Sequence, residues 1–183
     1  MVGGTFMALT GESFGSPSLN NAFLISIPFG LTVMTMSIGK HMDKYEADYA
    51  KPIYTLPVII GMKWASRVCQ FTIILFFILS LFSVIEGHYA MVVVVIAIPR
   101  AIYVIKKFNE PIPDTQKEAF DIAFEALPPH LKEKVIEQDM ENIFPVWPLW
   151  YVAWAFHFVK IAGATFVLGL IIDTLIVLKF IPL

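Results

Sequence analysis

The sequence predicts an all-α protein, a polytopic membrane helical bundle with about four transmembrane helices, a cytoplasmic helical segment and an interfacial aromatic segment. The first observation is composition: of 183 residues, 57% are hydrophobic and 15% are charged, whereas soluble domains average about 25% charged residues. The second is that the apolar residues gather in runs close to the roughly 17–25 residues that span a bilayer. The length allows one domain, so we expect residues 1–183 to form a single membrane domain.

Four apolar runs predict the transmembrane helices. They are residues 22–38, 68–85, 89–105 and 161–178. A further apolar run at residues 53–62 is too short to cross, so we expect it to lie buried or re-entrant. Residues 1–21 are rich in Gly and Ser and predict a loop or a helix stub. They lack the basic start and the long apolar core of a cleavable signal peptide.

Between the third and fourth runs, residues 106–144 have the composition of a soluble surface and predict a cytoplasmic amphipathic insertion. Asp114 or Thr115 can cap a helix that ends before Pro128, because proline cannot continue a helix interior. A second short helix is expected over residues 130–140, where alternating Lys and Glu favour pairing one turn apart.

An aromatic segment follows at residues 145–158, with the sequence PVWPLWYVAWAFHF, and Lys160 ends it. Its Trp, Tyr and Phe side chains are typical of an aromatic belt at a membrane interface. The segment is too short to cross the bilayer, so we expect it to lie along the inner interface or to dip and return. An interface anchor is the favoured interpretation of the Trp cluster, with a quinone or pigment stack as the alternative.

Basic residues predict the orientation of the chain. Of 13 Lys and Arg, all except Lys179 fall in or beside the loops that follow the first and third spans. Cytoplasmic loops carry an excess of Lys and Arg. We therefore expect the N-terminus outside, and residues 39–67 and 106–160 on the cytoplasmic side of the cell inner membrane or its equivalent. With a net charge of −2 and no basic-aromatic patch, nucleic acid is not an expected partner.

Three further residues have structural interpretations. Cys69 lies in an apolar run and is expected to pack as a small hydrophobe. Asp173 lies inside the fourth span, where an acidic side chain is a functional hypothesis by default, but its distance from the inner face favours a hydrogen-bonding role between helices. Arg100 is expected to extend its guanidinium to the inner interface, with phosphate binding as the alternative.

An acidic stretch at residues 39–61, GKHMDKYEADYAKPIYTLPVIIG, stands between the first two spans. Its carboxylates can hold Mg²⁺, which prefers oxygen ligands and is often shared with substrate phosphates. Such an ion, with nearby Lys, can neutralise a diphosphate leaving group. Asp43 and Asp48 are the best metal-ligand candidates and Glu46 is the third. The residues that could contact phosphate are Lys40, Lys44 and Lys51. Spacing alone also allows a solvated, salt-bridged loop without such a role.

The stretch resembles the second aspartate-rich motif of the UbiA superfamily of intramembrane prenyltransferases, in which an Asp-containing loop runs into a Thr/Ser-Leu-Pro turn and a short apolar helix. The exit TLPVIIG, the long segment after the third span, and the closing WPLWYVAWAF and GATFVLGLIID extend the resemblance over most of the chain. It covers the C-terminal half of such proteins and implies Mg²⁺-dependent transfer of a prenyl chain from its diphosphate to an acceptor. Asp48 matches the last acid before the Leu-Pro turn, with Asp43 as its partner.

The family's first motif, of the Asn-Asp-x-x-Asp type, has no counterpart in these 183 residues. The resemblance therefore implies another membrane chain, either an N-terminal half or a larger assembly. One function hypothesis is a UbiA-like prenyltransferase C-terminal half that is incomplete alone. A second is a non-catalytic accessory or structural subunit of a larger membrane complex, and a third is a module that binds lipid, quinone or pigment. Membrane lipid and a prenyl or other isoprenoid lipid are further expected partners.

Overall fold

The computed structural model describes residues 2–126, 132 and 147–178. Across these ranges the chain is mainly helical and contains no strand, which confirms the predicted all-α class. The helices in chain order are α1 (Val2–Thr10), α2 (Pro17–Asp43), α3 (Tyr45–Ala50), α4 (Leu56–Ile60), α5 (Met62–Ile85), a 3₁₀ helix (Tyr89–Ala97), α6 (Ile98–Lys107), α7 (Gln116–Glu125) and α8 (Trp150–Val177).

Four helical segments in these ranges are long and apolar enough to cross a membrane: α2, α5, the 3₁₀ helix continued by α6, and α8. The number of predicted spans is therefore confirmed. Their outer surface carries large exposed apolar side chains, for example Phe71, Ile78 and Ile96. Such a continuous apolar surface is unfavourable in water, whereas in a bilayer it meets acyl chains. The fold is a polytopic membrane helical bundle.

The first span begins earlier than predicted. Ser16 caps α2 by accepting a hydrogen bond from the Leu19 N–H at 3.3 Å, and Pro17 takes the first helical position. A proline is favoured there because its missing N–H has no partner within the helix. Of the two alternatives for residues 1–21, the helix stub is confirmed by α1, and the loop is wrong for α1 and for the first turn of α2.

The apolar run at residues 53–62 does not form one buried segment. Helix α4 ends at Ile60, Gly61 turns the chain with a φ of +83°, and α5 begins at the next residue. Glycine suits this turn because a positive φ strains other residues. Pro57 is buried while Ile59 is exposed, so α4 buries only one of its sides.

The third span combines two helix types without a break. The 3₁₀ helix passes directly into α6 at Ile98. Pro99 lies in the first turn of α6, a position that favours proline. The proline that interrupts the apolar run therefore does not end the span.

The aromatic segment predicted at residues 145–158 belongs to the last span, which corrects the predicted boundary at Lys160. Helix α8 begins at Trp150 and continues through Lys160. The last proline before it is Pro148, and α8 itself contains none, so nothing in its sequence stops the helix. At about 1.5 Å per residue α8 extends about 42 Å, beyond the roughly 30 Å hydrocarbon core, so its first turns can reach the interface. Residues 145–146 lie outside the described ranges.

The four spans form a ring in which α2 contacts α5 and α8, and the 3₁₀ helix also contacts α5 and α8. Phe76 of α5 packs at the centre against Phe158 and Phe166 of α8, with ring centroids 5.7 and 5.9 Å away. The Thr35 and Thr72 hydroxyls lie 2.7 Å apart and join α2 to α5. Such hydrogen bonds between helices are typical of membrane bundles, where burial of apolar groups does not drive association.

The ring has two ends. The motif end holds the end of α2, the start of α5, the end of α6 and the start of α8, and the opposite end holds the turn between α5 and the 3₁₀ helix.

After α6, Thr115 caps α7 by accepting a hydrogen bond from the Glu118 N–H at 3.2 Å, as predicted. Arg100 Nη1 donates to the Ala126 carbonyl at 2.8 Å and ties α6 to the end of α7. The helix predicted over residues 130–140 lies, except for residue 132, outside the described residues.

Candidate functional site

The acidic motif folds into two short helices at the motif end. Asp43 is the last residue of α2, and α3 carries Glu46 and Asp48. Thr55 is the residue before α4, and Pro57 lies in the first turn of that helix, a position that favours proline. The Thr-Leu-Pro sequence thus starts α4, and Gly61 then turns the chain into α5.

Both oxygens of the Asp43 carboxylate are hydrogen-bonded to the start of α8. Oδ1 accepts from the Tyr151 N–H and Oδ2 from the Val152 N–H, each at 2.8 Å. The first N–H groups of a helix have no partner within it, and an acid beside them complements the helix dipole. Asp43 is therefore a helix cap supplied by another helix. Sequence reasoning missed this role because the capped residues lie more than a hundred positions away.

Asp48 lies in a different environment. The residue is only 8% exposed, and its Oδ2 atom has no hydrogen-bond partner among the described residues. His41 Nδ1 lies 3.5 Å from that oxygen and is also without a hydrogen bond in this part of the chain. A buried polar atom left unpaired costs about 1–3 kcal/mol, and more when it is charged. This oxygen is therefore the atom of the motif best suited to accept a bound cation.

The other predicted site residues, Glu46, Lys40, Lys44 and Lys51, are all exposed, and within the described ranges none of them is in an ion pair. Among those same residues, no group of three or more His, Cys, Asp or Glu forms that could hold a metal ion. Mg²⁺ commonly takes one or two carboxylates and completes its coordination with water and substrate phosphate. The carboxylate of Asp48 fits one such position.

A cleft of about 410 Å³ opens beside the Asp43 cap, and its lining includes Met42, Lys63, Arg67 and Tyr151. Hydrogen bonds fix its walls. Ser66 Oγ donates to the Phe108 carbonyl at 2.6 Å, and the Tyr151 hydroxyl donates to the Glu110 carbonyl at 2.9 Å. Sequence reasoning did not identify this cleft, because its residues come from separate segments that only the folded bundle brings together.

A hydrogen bond between a histidine and an aspartate lies at the opposite end of the bundle. His88 Nδ1, in the turn after α5, and Asp173 Oδ2, near the end of α8, are 2.6 Å apart. The predicted hydrogen-bonding role of Asp173 is confirmed, although its partner belongs to a turn and not to a neighbouring helix. The pair joins the turn to α8 far from the acidic motif.

The Trp side chains at the start of α8 lie inside the bundle. Trp150 and Trp154 are buried and pack edge to face with 5.6 Å between ring centroids, and Trp154 packs on Tyr103 of α6 at 5.4 Å. The prediction of an interface anchor is wrong for these two side chains, because α8 directs them toward α6. Their indole N–H groups have no acceptor among the described residues.

These features define the class of the protein: an all-α polytopic bundle with four helices able to cross a membrane and an acidic motif at one end. No family model, curated protein or solved structure matches the chain.

Proposed function

We propose that this chain is a UbiA-like prenyltransferase C-terminal half, which acts in Mg²⁺-dependent transfer of a prenyl group from a prenyl diphosphate to an acceptor. The observation that carries the proposal is the buried Asp48 carboxylate. Its Oδ2 atom lacks a hydrogen-bond partner in the described part of the chain, and the residue precedes the Leu56-Pro57 turn. In the UbiA family, which the motif resembles, the last acid before the Leu-Pro turn binds the metal. A cation there would give the oxygen the partner that it lacks.

The acidic residues have different roles in this proposal. Asp48 would bind Mg²⁺, while Asp43 positions α2 against α8 through its two capping hydrogen bonds. Glu46 precedes Asp48 by two positions and does not share its helix face. When bound, Mg²⁺ would neutralise charge that develops on the departing diphosphate. The exposed residues that would contact the phosphates are Lys40, Lys44 and Lys51.

A partner chain is part of the proposal. One carboxylate leaves most coordination positions of Mg²⁺ to other ligands, so a first motif of the Asn-Asp-x-x-Asp type, supplied by another membrane chain, would complete the metal site. The motif end would face the cytoplasm, with the N-terminus outside, because almost all Lys and Arg then lie on the cytoplasmic side. The prenyl chain of the donor would lie in the membrane.

Prenyl transfer in membranes that contain both halves tests the proposal. With labelled prenyl diphosphates of several chain lengths and Mg²⁺, the wild-type pair should form product. Asp48→Asn should lower the rate by about 100-fold or more, as expected for the loss of a group that stabilises transition-state charge. Asp114→Asn makes the same chemical change at an exposed position outside the motif and should keep the wild-type rate. An inactive wild-type pair with every donor, or a fully active Asp48→Asn pair, would contradict the proposal.

The capping role of Asp43 favours a second candidate function, a non-catalytic accessory subunit of a larger membrane complex. The Asp43 carboxylate joins two helices. An acid whose role is only structural is expected to make such contacts. This candidate predicts stoichiometric co-purification with other membrane subunits in mild detergent, and an unchanged activity of that complex with Asp48→Asn. Loss of that activity while the complex still assembles would count against it.

A further inference from the structure

We propose that the cleft at the motif end binds the phosphate group of an anionic membrane phospholipid, with Lys63 and Arg67 as the cationic contacts. The cleft volume of about 410 Å³ lies within the range of small-molecule sites. Asp48 is not among the residues that line it. The lipid site is therefore separate from the proposed metal site and does not depend on the prenyltransferase assignment.

The cleft carries excess positive charge. Lys63 and Arg67 are four positions apart in α5 and share a helix face. Within the described ranges neither is in an ion pair, and Glu110, which also lines the cleft, is paired with Lys107 at 2.6 Å. Lys63 and Arg67 therefore outnumber Glu110, whose carboxylate already has Lys107 as its partner. This net positive charge favours an anion, and phosphate oxygens match the donor geometry of a guanidinium.

The neutral walls of the cleft are already hydrogen-bonded. Gln70 Nε2 donates both to Ser66 Oγ at 3.1 Å and to Asn109 Oδ1 at 2.8 Å, and Ser66 Oγ donates to the Phe108 carbonyl. This network holds α5 against the segment after α6. In the described part of the chain, the side chains of Lys63 and Arg67 are the charged groups of the cleft that still have donors to offer.

The exposed face of α5 favours a lipid over a free phosphate as the ligand. Along this face Arg67 is followed by Phe71, Ile74 and Ile78, which are 48–60% exposed. Trp64 is 58% exposed, and the Arg67 guanidinium carbon lies 4.8 Å from its ring centroid. Tryptophan is enriched at membrane interfaces. A phospholipid with its phosphate at Arg67 would therefore have its acyl chains along this apolar face.

Native mass spectrometry of the full chain in mild detergent, titrated with phosphatidylglycerol or phosphatidylcholine, tests the site. The wild type should bind one phosphatidylglycerol with at least about tenfold preference. The double variant Lys63→Gln plus Arg67→Gln should lose about tenfold or more in that affinity, because charge-assisted hydrogen bonds are lost. Lys106→Gln plus Lys117→Gln removes the same charge from exposed positions of α6 and α7 and should bind as the wild type does.

Competition separates the possible sources of the phosphate. Inorganic phosphate and a prenyl diphosphate with Mg²⁺ should each leave bound phosphatidylglycerol in place. Displacement by inorganic phosphate would indicate a simple anion site, and displacement by prenyl diphosphate a donor site, and either result overturns the proposal. Equal affinity of the Lys63 and Arg67 variant overturns it too. Both side chains are exposed, so this variant should unfold at the temperature of its control. The preference of the wild type for phosphatidylglycerol over phosphatidylcholine tests the proposal independently of whether this variant folds.

Discussion

The Asp43 carboxylate accepts a hydrogen bond of 2.8 Å from the backbone N–H of Tyr151, which lies 108 positions later in the chain. This contact joins the C-terminus of the first span to the N-terminus of the last. It closes the ring of helices at the motif end, where α8 has N–H groups that its own turns cannot satisfy. An acid that local sequence assigns to a metal site thus acts in the fold as a connection between two spans.

Replacing Asp43 measures how much this connection stabilises the bundle. Asp43→Ala should lower the free energy of unfolding by about 1–2 kcal/mol, the usual cost of a lost helix cap. Asp43→Asn should lower it less, because the amide oxygen can still accept a hydrogen bond. Denaturant titration in detergent micelles gives the comparison, with Asp114→Ala as an exposed control. If Asp43→Ala unfolds like the wild type, the cap does not stabilise the protein.

A side chain at position 39 would destabilise the bundle, because α2 and α8 approach closely at Gly39. An added Cβ would lie 3.0 Å from the Tyr151 carbonyl oxygen and 3.3 Å from the Val152 nitrogen, and backbone atoms cannot move aside. Gly39→Ala should therefore lower the free energy of unfolding by about 1–3 kcal/mol. The matched control on the same helix is Gly30→Ala, whose Cβ meets no described atom within 4 Å. It should be neutral or stabilise by up to about 1 kcal/mol. A similar loss at both positions would rule out the close approach as the cause.

The spans could be predicted because each depends on a local property, a run of apolar residues long enough to cross a bilayer. The start of α2 had local signals too, since Ser16 precedes Pro17 and both favour a helix N-terminus. The start of α8 was harder to predict, because the aromatic run at residues 145–158 fits either an interfacial segment or the first turns of a helix. Only packing against α6, which buries Trp154 against Tyr103, decides between them.

The position of the acidic residues could be predicted in part. Sequence spacing identified the segment and its acids, and Asp48 is buried, while its role as a metal ligand stays a prediction. The separation of Asp43 from Asp48 could not be predicted, because it depends on where α8 begins in space. The same is true of the cleft, since Ser66 and Phe108 meet only when α5 and α6 pack together. Contacts between distant segments carry no signal in a single sequence.

The His88–Asp173 pair should stabilise the opposite end of the bundle, because both side chains are largely withdrawn from solvent. A double-mutant cycle with His88→Ala and Asp173→Asn should give a coupling energy of about 1 kcal/mol or more in the free energy of unfolding. The control cycle pairs Glu86→Ala, an exposed residue of the same turn, with Asp173→Asn and should be additive. Additivity in the first cycle would mean that the 2.6 Å contact makes no net contribution.

The orientation of the chain gives the last prediction. Inverting the bundle would move the Lys and Arg of the two loops at the motif end to the translocated side, against the strong bias of membrane proteins. Forcing such charges into the bilayer costs roughly 2.5–3.5 kcal/mol each at a helix centre. In a Cys69→Ser background, where the new hydroxyl stays near the Thr35 carbonyl, Lys132→Cys should react with an impermeant thiol reagent only from the cytoplasm. Ser18→Cys should react only from outside. Labelling of both from the same side, or with the two sides exchanged, would disprove this orientation.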